Sequence, residues 1–305
     1  MLAGTIALLL ALQAAPAPAP PKPDDIVVTG QRLTPETARR YVNDISRPVN
    51  GQLPLFRYPV CPAVQGVAPE HAAVVVERIR KVVKHVGIRL DKPDCAPNLR
   101  VIVVDDSQKF VEELSRKSPG YFEGLERSEL KRLLRDESPA LAWSNLQAQN
   151  EDGHIYADNV SGRSPFDRMS KNRMTSGDAS MNMPRGDGAA GVMRTSSASI
   201  IKATTRQAML ESYVVVEASA IDGKSLMQLA DYATMRTLAA AQPPADGAVV
   251  DTILSLFNPG QEAPPSIRVP DIAYLKALYG GAPTMTSAQQ LNRLTKAVLE
   301  ASSGE

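Results

Sequence analysis

Aromatic residues, histidines and cysteines are scarce in this chain of 305 residues. Phe, Trp and Tyr make up 5% of it, with one Trp, so stacking platforms for single-stranded nucleic acids or sugars are poorly supplied. The 34 basic and 33 acidic residues leave a net charge of +1, which excludes a global attraction to nucleic acids or membrane surfaces. No run of 18 apolar residues occurs. We therefore expect no nucleic-acid partner and no transmembrane span.

The usual hydrolase and nucleotide-binding motifs are also missing. The three histidines, His71, His85 and His154, stand apart, and neither His-Glu-x-x-His nor Gly-x-Ser-x-Gly occurs. Gly223–Ser225 is similar to the end of a phosphate-binding loop, but Ala218 stands where such a loop needs its first Gly. A turn followed by a capped helix accounts for this segment. No cofactor is expected.

The N-terminus has the layout of a secretory signal peptide. The apolar run Ile6–Leu12 is followed by small residues and a tract rich in Pro and Ala, although no basic residue precedes the run. Seven apolar residues are too few for a bilayer span, which needs about 20. We predict a signal peptide at residues 1–15, with cleavage between Ala14 and Ala19, and a periplasmic or secreted protein. The alternative is a frayed apolar terminus.

The two cysteines, Cys61 and Cys95, are consistent with export. An even number of cysteines in an exported chain favours a disulfide. A metal site and a catalytic thiol are the alternatives, but two Cys with three scattered His match no zinc spacing, and both cysteines lie in stiff Pro-flanked segments. We predict a bridge that joins the segment before the first helix to the start of the first long strand.

The first part of the chain alternates between helical and extended patterns. A Pro-rich linker is expected over residues 16–54, and the first half of an α/β domain over residues 55–160. Apolar residues recur at helical spacing after Pro69, with charged residues on the opposite face (Glu77, Arg78, Arg80, Lys81 and Lys84). Predicted elements after this helix are a largely buried strand at Leu99–Val104, helices at Ser107–Lys117 and near Arg127–Asp136, and a strand at Ala140–Gln147.

Residues 161–194 have a different composition. They contain five of the ten Met, five Gly and six basic residues, without Leu or Ile, so we expect a flexible insertion. Thioether sulfur is a soft ligand that suits Cu(I), so copper binding is a second hypothesis for this segment. Its methionines are Met169, Met174, Met181, Met183 and Met193. The alternative is that Met is filler in a disordered insert.

The second half of the domain is expected over residues 195–283. It begins with a strand at Tyr213–Glu217 and a turn at Asp222–Gly223, and Ser225 with Gln228 forms a capping box that starts a helix. A further helix at Asp271–Tyr279 precedes a C-terminal helix and tail over residues 284–305. The predicted fold is α+β, a mixed sheet covered by helices in one domain that the flexible insertion interrupts.

Two groups of polar residues are candidates for ligand binding. Asp105 and Asp106 follow the predicted buried strand, where paired carboxylates could hold a divalent cation or share a proton, although Asp before a helix is also a routine cap. The second group lies on the capped helix, which is otherwise apolar, and forms either a cleft wall or a buried brace. It comprises Gln228, Asp231, Tyr232 and Arg236.

Several segments together resemble a group of uncharacterised exported bacterial envelope proteins, over most of residues 55–280. These segments are Phe56–Pro62, Asp94–Leu99, Val101–Asp106, Gly223–Arg236 and Asp271–Tyr279. The order of the strand, the Gln-bearing helix, Ser255–Phe257 and Ala273–Tyr279 also resembles a bacterial lipoprotein family related to zinc metallopeptidases. The resemblance implies a fold of that kind without its metal, because the His pair and the catalytic Glu are missing.

The expected function is therefore a non-enzymatic envelope protein that binds a protein or a cell-wall component. The competing hypothesis is a hydrolase-like enzyme, a degenerate zincin-like fold without zinc, whose site lies between Asp105–Asp106 and the Gln228–Arg236 helix. Convergence of these groups in one pocket would favour the enzyme.

Overall fold

The computed structural model describes residues 32–150, 153, 203, 205–245 and 247–303. Within these ranges the strands are β1 (Leu55–Phe56), β2 (Pro62–Gln65), β3 (Leu99–Val104), β4 (Ala140–Asn150) and β5 (Thr205–Glu217). The helices are α1 (Pro35–Ile45), α2 (Pro69–His85), α3 (Ser107–Lys117), α4 (Arg127–Leu133), α5 (Ala218–Ile221), α6 (Leu226–Leu238), α7 (Val269–Tyr279) and α8 (Ser287–Ser303). Short 3₁₀ helices lie at Pro119–Phe122 and Ile253–Ser255.

All five strands belong to one mixed sheet. Strand β4 runs antiparallel along one edge of β5, with a bulge between Asn145 and Leu146. The other edge of β5 pairs in parallel with β1, near its start, and with β3, from Leu99↔Ser212 to Val104↔Glu217. Strand β2 then adds in parallel to β3. The predicted α+β class, a mixed sheet covered by helices with a helix at the C-terminus, is confirmed.

Helices cover both faces of the sheet and form two apolar cores. Strand β3 contributes to both, because successive side chains of a strand point to opposite faces. Leu99 and Val101 belong to a large core with α1, α2, α6, α7 and α8. Ile102 and Val104 pack against a smaller core with Val111 of α3 and with α4.

Part of the predicted Pro-rich linker is a buried helix. Thr34 accepts a hydrogen bond from the Thr37 backbone N–H and Pro35 occupies the first turn, so α1 begins with a standard cap. Tyr41 and Ile45 are among its buried residues. The expectation of a linker up to residue 54 was therefore wrong for Pro35–Ile45. The proline content suggested an extended chain, whereas Pro35 lies in the first turn of the helix, where proline is tolerated.

Strands β4 and β5 are longer than their apolar patterns predicted. Strand β4 continues to Asn150 and β5 begins at Thr205, upstream of the expected Tyr213. The added residues are largely polar, as Gln149 and Gln207 illustrate, and pairing between the two strands keeps them extended. Helix α4, in contrast, ends at Leu133, three residues before its expected end.

The predicted disulfide is confirmed. Cys61 and Cys95 are bridged with a Cα separation of 6.1 Å, inside the usual range. Asn98 orders the same region, because its side chain accepts from the Cys61 N–H at 2.8 Å and donates to the Pro59 carbonyl at 2.9 Å. The bridge thus joins the chain before β2 to the start of β3.

Several sequence predictions fall outside the described residues. These are the signal peptide at residues 1–15, the insertion at residues 161–194 and its five candidate copper ligands. Within the described ranges, no helix combines the length and apolarity needed to cross a bilayer.

Asp271 is a buried carboxylate that hydrogen bonds hold at the start of α7. Its Oδ1 accepts from the Tyr41 hydroxyl at 2.7 Å and the Thr252 hydroxyl at 2.6 Å. Its Oδ2 accepts from the backbone N–H groups of Ile253 and Arg268. Burial disfavours the charged form and raises the pKa of Asp271 above its ordinary value, and these hydrogen bonds offset only part of that effect.

This raised pKa predicts a pH-dependent term in stability. The folded protein holds the Asp271 proton more tightly than the unfolded chain. The stability that the Asp271 proton contributes to the fold is therefore complete below the ordinary pKa of 3.8. This stability is lost as the pH rises through the pKa of Asp271 in the folded protein. We expect the free energy of unfolding of the wild type, minus that of Asp271→Asn, to fall as the pH rises above 3.8. Urea unfolding at a series of pH values above 3.8 measures this difference, and a constant difference would contradict the prediction.

Candidate binding cleft

The two aspartates at the end of β3 do not form a site with the α6 side chains. Asp106 accepts a hydrogen bond from the Lys109 N–H at 2.8 Å and caps α3, and Asp105 is exposed beside it. Among the described residues, no hydrogen bond or ion pair joins either carboxylate to α6. Their helices also lie in different cores, since α3 packs in the smaller core and α6 in the larger one.

Asp231 braces the large core. It is fully buried and accepts two hydrogen bonds from Arg78, from Nε at 2.7 Å and from Nη2 at 2.9 Å, and a third from the Ile267 N–H. Arg78 was expected on the solvent-facing side of α2, but it is only 4% exposed. The pattern of charges on α2 predicted a solvent-exposed face, whereas Arg78 is buried because it pairs with Asp231.

Gln228 makes hydrogen bonds that cap the start of α6. Its side chain completes the predicted capping box with Ser225, and its amide also donates to the Pro264 carbonyl at 3.0 Å. The capping box is therefore confirmed, and Gln228 holds two segments together.

Tyr232 and Arg236 lie next to each other on α6. The Arg236 Nη1 donates to the Tyr232 hydroxyl at 2.5 Å and to the Ala140 carbonyl at 3.4 Å. The Tyr232 ring meets Phe257 edge-on, at 4.8 Å between centroids. Burial raises the pKa of Tyr232, so its hydroxyl stays neutral near pH 7. Of the sequence-predicted candidates, Arg236 is the one that lines an open cleft, and Tyr232 contacts it from behind.

This cleft lies at the outer edge of β4 and encloses about 70 Å³. One wall is α4 with its flanking residues, and the other is the end of α6 with the segment that follows it. Its charged lining residues are Arg47, Glu129, Arg132, Asp136 and Arg236. Trp143 of β4 also lines it. Three guanidinium groups against two carboxylates leave the lining positive by one charge.

Arg236 differs from the other cations of the cleft because it is buried. It is 4% exposed, and its Nε has no hydrogen-bond partner among the residues that the structure describes. It forms no ion pair with Glu129, Asp136 or any other described carboxylate. Arg47 and Arg132, in contrast, are exposed to water. A buried, unpaired guanidinium costs free energy unless an anion meets it.

The edge of β4 in the cleft has free backbone groups. The Glu217 N–H donates to the Pro139 carbonyl, so the backbone groups of Pro139 face β5. In an antiparallel pair, successive residues face the partner strand and the opposite side in turn. The N–H and C=O of Ala142 and Ser144 therefore point away from β5. Neither residue's backbone has a hydrogen-bond partner on that side within the described part of the chain. The free edge is short, because Arg236 binds the Ala140 carbonyl at one end and Gly124 packs against Leu146 N at the other.

A larger groove, of about 650 Å³, lies between α7 and α8. Its lining includes small apolar residues such as Ala273 and Ala297, together with Lys276 and Lys296. None of its described lining residues has a buried polar atom without a partner, so the β4 edge is the stronger candidate. No group of three potential metal-ligating side chains occurs within the ranges that the structure describes.

Sequence reasoning singled out Arg236 and missed the rest of the cleft. Trp143 was recognised as part of a strand, but nothing in a strand's own sequence tells whether both of its edges are paired. Arg132 and Asp136 were seen only as part of a helical pattern. Comparisons of the chain with protein-family models, with curated proteins and with solved structures give no match.

Proposed function

We propose that this chain is an exported, non-enzymatic envelope protein that binds a protein or cell-wall partner in the cleft at the β4 edge. The observation that carries the proposal is the free backbone edge of Ala142 and Ser144 beside the buried Arg236. An exposed strand edge is a template for an added strand, a common mode of peptide recognition.

The use of the polar side chains supports binding rather than catalysis. Asp106 caps a helix, Asp231 pairs with Arg78 and Asp271 accepts four hydrogen bonds from uncharged donors. A carboxylate that is fully engaged inside the fold is poorly placed to act as a general acid or base on a bound substrate. The hydrolase hypothesis needs the α6 residues to converge with Asp105 and Asp106, but these follow the end of β3 and precede α3, which packs in the other core.

The disulfide supports the exported location, because structural disulfides persist in oxidising compartments. The apolar run Ile6–Leu12 with its small flanking residues supports it independently. A periplasmic or secreted protein also meets the partners named here, which are exported proteins and the cell wall.

Photo-crosslinking in intact cells tests the proposal. A photo-reactive amino acid replaces Arg132, which is exposed in the cleft wall, and in a matched control it replaces Val74, which is 50% exposed on α2 outside the cleft. We expect a discrete cross-linked product from position 132, recovered with the envelope or secreted fraction, and none from position 74. The same products from both positions, or a cytoplasmic protein without products, would overturn the proposal.

A further inference from the structure

We infer that Arg236 binds the C-terminal carboxylate of an extended peptide that pairs with β4 as an antiparallel strand. The inference rests on the proposed function, since it uses the same cleft, and it names the chemical class of the partner.

The free side of the Arg236 guanidinium matches a carboxylate. Its Nη1 is engaged with the Tyr232 hydroxyl and the Ala140 carbonyl, whereas Nε is buried without a partner and Nη2 makes no hydrogen bond to a described residue. Nε and Nη2 point to the same side of the planar group, and a carboxylate accepts both N–H groups in a bidentate pair. An incoming carboxylate would therefore satisfy the one buried polar atom of Arg236 that the fold leaves unpaired.

The direction of β4 indicates which end of a peptide reaches Arg236. Arg236 contacts Ala140, the first residue of β4, and the free edge continues through Ala142 and Ser144. A strand added antiparallel to β4 runs from Ser144 towards Ala140, so its C-terminus arrives beside Arg236. A parallel strand would instead bring its N-terminal ammonium group there, and the guanidinium would repel it.

The size and charge of the cleft restrict the last residue of the peptide. The cleft volume of about 70 Å³ corresponds to several waters, at roughly 10–15 Å³ of such volume each. It suits a carboxylate with a small side chain. Glu129 and Asp136 in the lining disfavour a second negative charge near the first. The expected ligand therefore ends in a small, uncharged residue.

Calorimetry with the full chain tests the inference. The probe is an acetylated hexapeptide of alternating valine and threonine that ends in alanine, used once with a free C-terminal carboxylate and once as the C-terminal amide. We expect the free acid to bind at least tenfold more tightly than the amide. The fluorescence of Trp143, the only Trp of the chain, gives a second readout of binding in the cleft.

Variants of Arg236 identify the group responsible. In Arg236→Met the preference for the free acid should disappear, and in Arg236→Lys, which keeps the charge but not the planar fork, it should be reduced. The matched control is Arg135→Met, an exposed arginine just after α4 and outside the cleft, which should keep the full preference. Unchanged unfolding midpoints show that the variants are folded. If Arg236→Met does not fold, Arg236→Lys alone tests the role of the guanidinium.

The outcomes separate this inference from the proposed function. Equal binding of acid and amide, or an unchanged preference in Arg236→Met, would overturn carboxylate recognition and leave the edge-pairing role intact. Tighter binding of a soluble cell-wall peptide that ends in a D-residue would overturn the assignment to an extended L-peptide. A cross-linked product at position 132 without any peptide binding would support the proposed function and overturn this inference.

Discussion

Replacing Asp231 by Ala is expected to lower the free energy of unfolding by about 3–5 kcal/mol. The reason is that the substitution leaves Arg78, the partner of Asp231, buried. Arg78 is 4% exposed and binds both oxygens of Asp231, so its charge would stay in the core without a counter-ion. The Ile267 N–H would lose its acceptor as well. Both groups are buried, so water cannot replace the lost bonds without local opening of the fold.

Urea unfolding at neutral pH measures this change. The matched control is Glu300→Ala, which breaks the surface pair Lys296–Glu300, exposed by 77% and 56%, and should change stability by less than about 1 kcal/mol. The double variant Arg78→Met/Asp231→Leu removes both charges and should recover most of the loss, because apolar residues of similar volume replace a buried pair well. A loss as small as that of Glu300→Ala would show that the pair does not stabilise the core.

Removing the disulfide is expected to lower the free energy of unfolding by about 4 kcal/mol. Cys61 and Cys95 are 34 residues apart, and the bridge restricts the unfolded chain by closing that loop. The loop contains all of α2, whose buried face includes Val75 and Ile79. We therefore expect the variant Cys61→Ala/Cys95→Ala to unfold at a markedly lower urea concentration.

Chemical reduction provides the control for this experiment. A reducing agent should shift the unfolding midpoint of the wild type to nearly that of the double variant, and it should leave the double variant unchanged. Substitution of the 3% exposed Cys61 also alters packing, and the reduced wild type separates this effect from the loss of the bridge. Equal stability of the oxidised and reduced wild type would contradict the prediction.

The elements predicted correctly are those with short-range signals. Helix α6 begins at its capping box because Ser225 and Gln228 satisfy each other's backbone N–H groups within four residues. Helix α2 follows from the 3.6-residue spacing of its valines, and β3 from its β-branched run. Helix α1 has a signal of the same kind in Thr34 and Pro35, but the high proline content of the surrounding segment obscured it.

The candidate site was less accessible to sequence reasoning. Arg236 stood out because a cation on an apolar helix is unusual, but Arg78 looked like an ordinary surface charge. The two differ only in what the fold places opposite them. Arg78 meets Asp231, 153 residues away in sequence, whereas Arg236 meets a tyrosine hydroxyl, a carbonyl and an open cleft.

The sequence by itself determined the local elements and the bridge between Cys61 and Cys95, because caps, periodicity and paired cysteines act over short distances or through covalent chemistry. Only the tertiary structure decided which buried charge is paired and which strand edge is left open. Both depend on contacts between segments far apart in the chain, such as β4 with β5 and α2 with α6. A hydrogen bond or an ion pair forms between groups that are close in space, and the separation of two residues in the sequence does not tell whether they are.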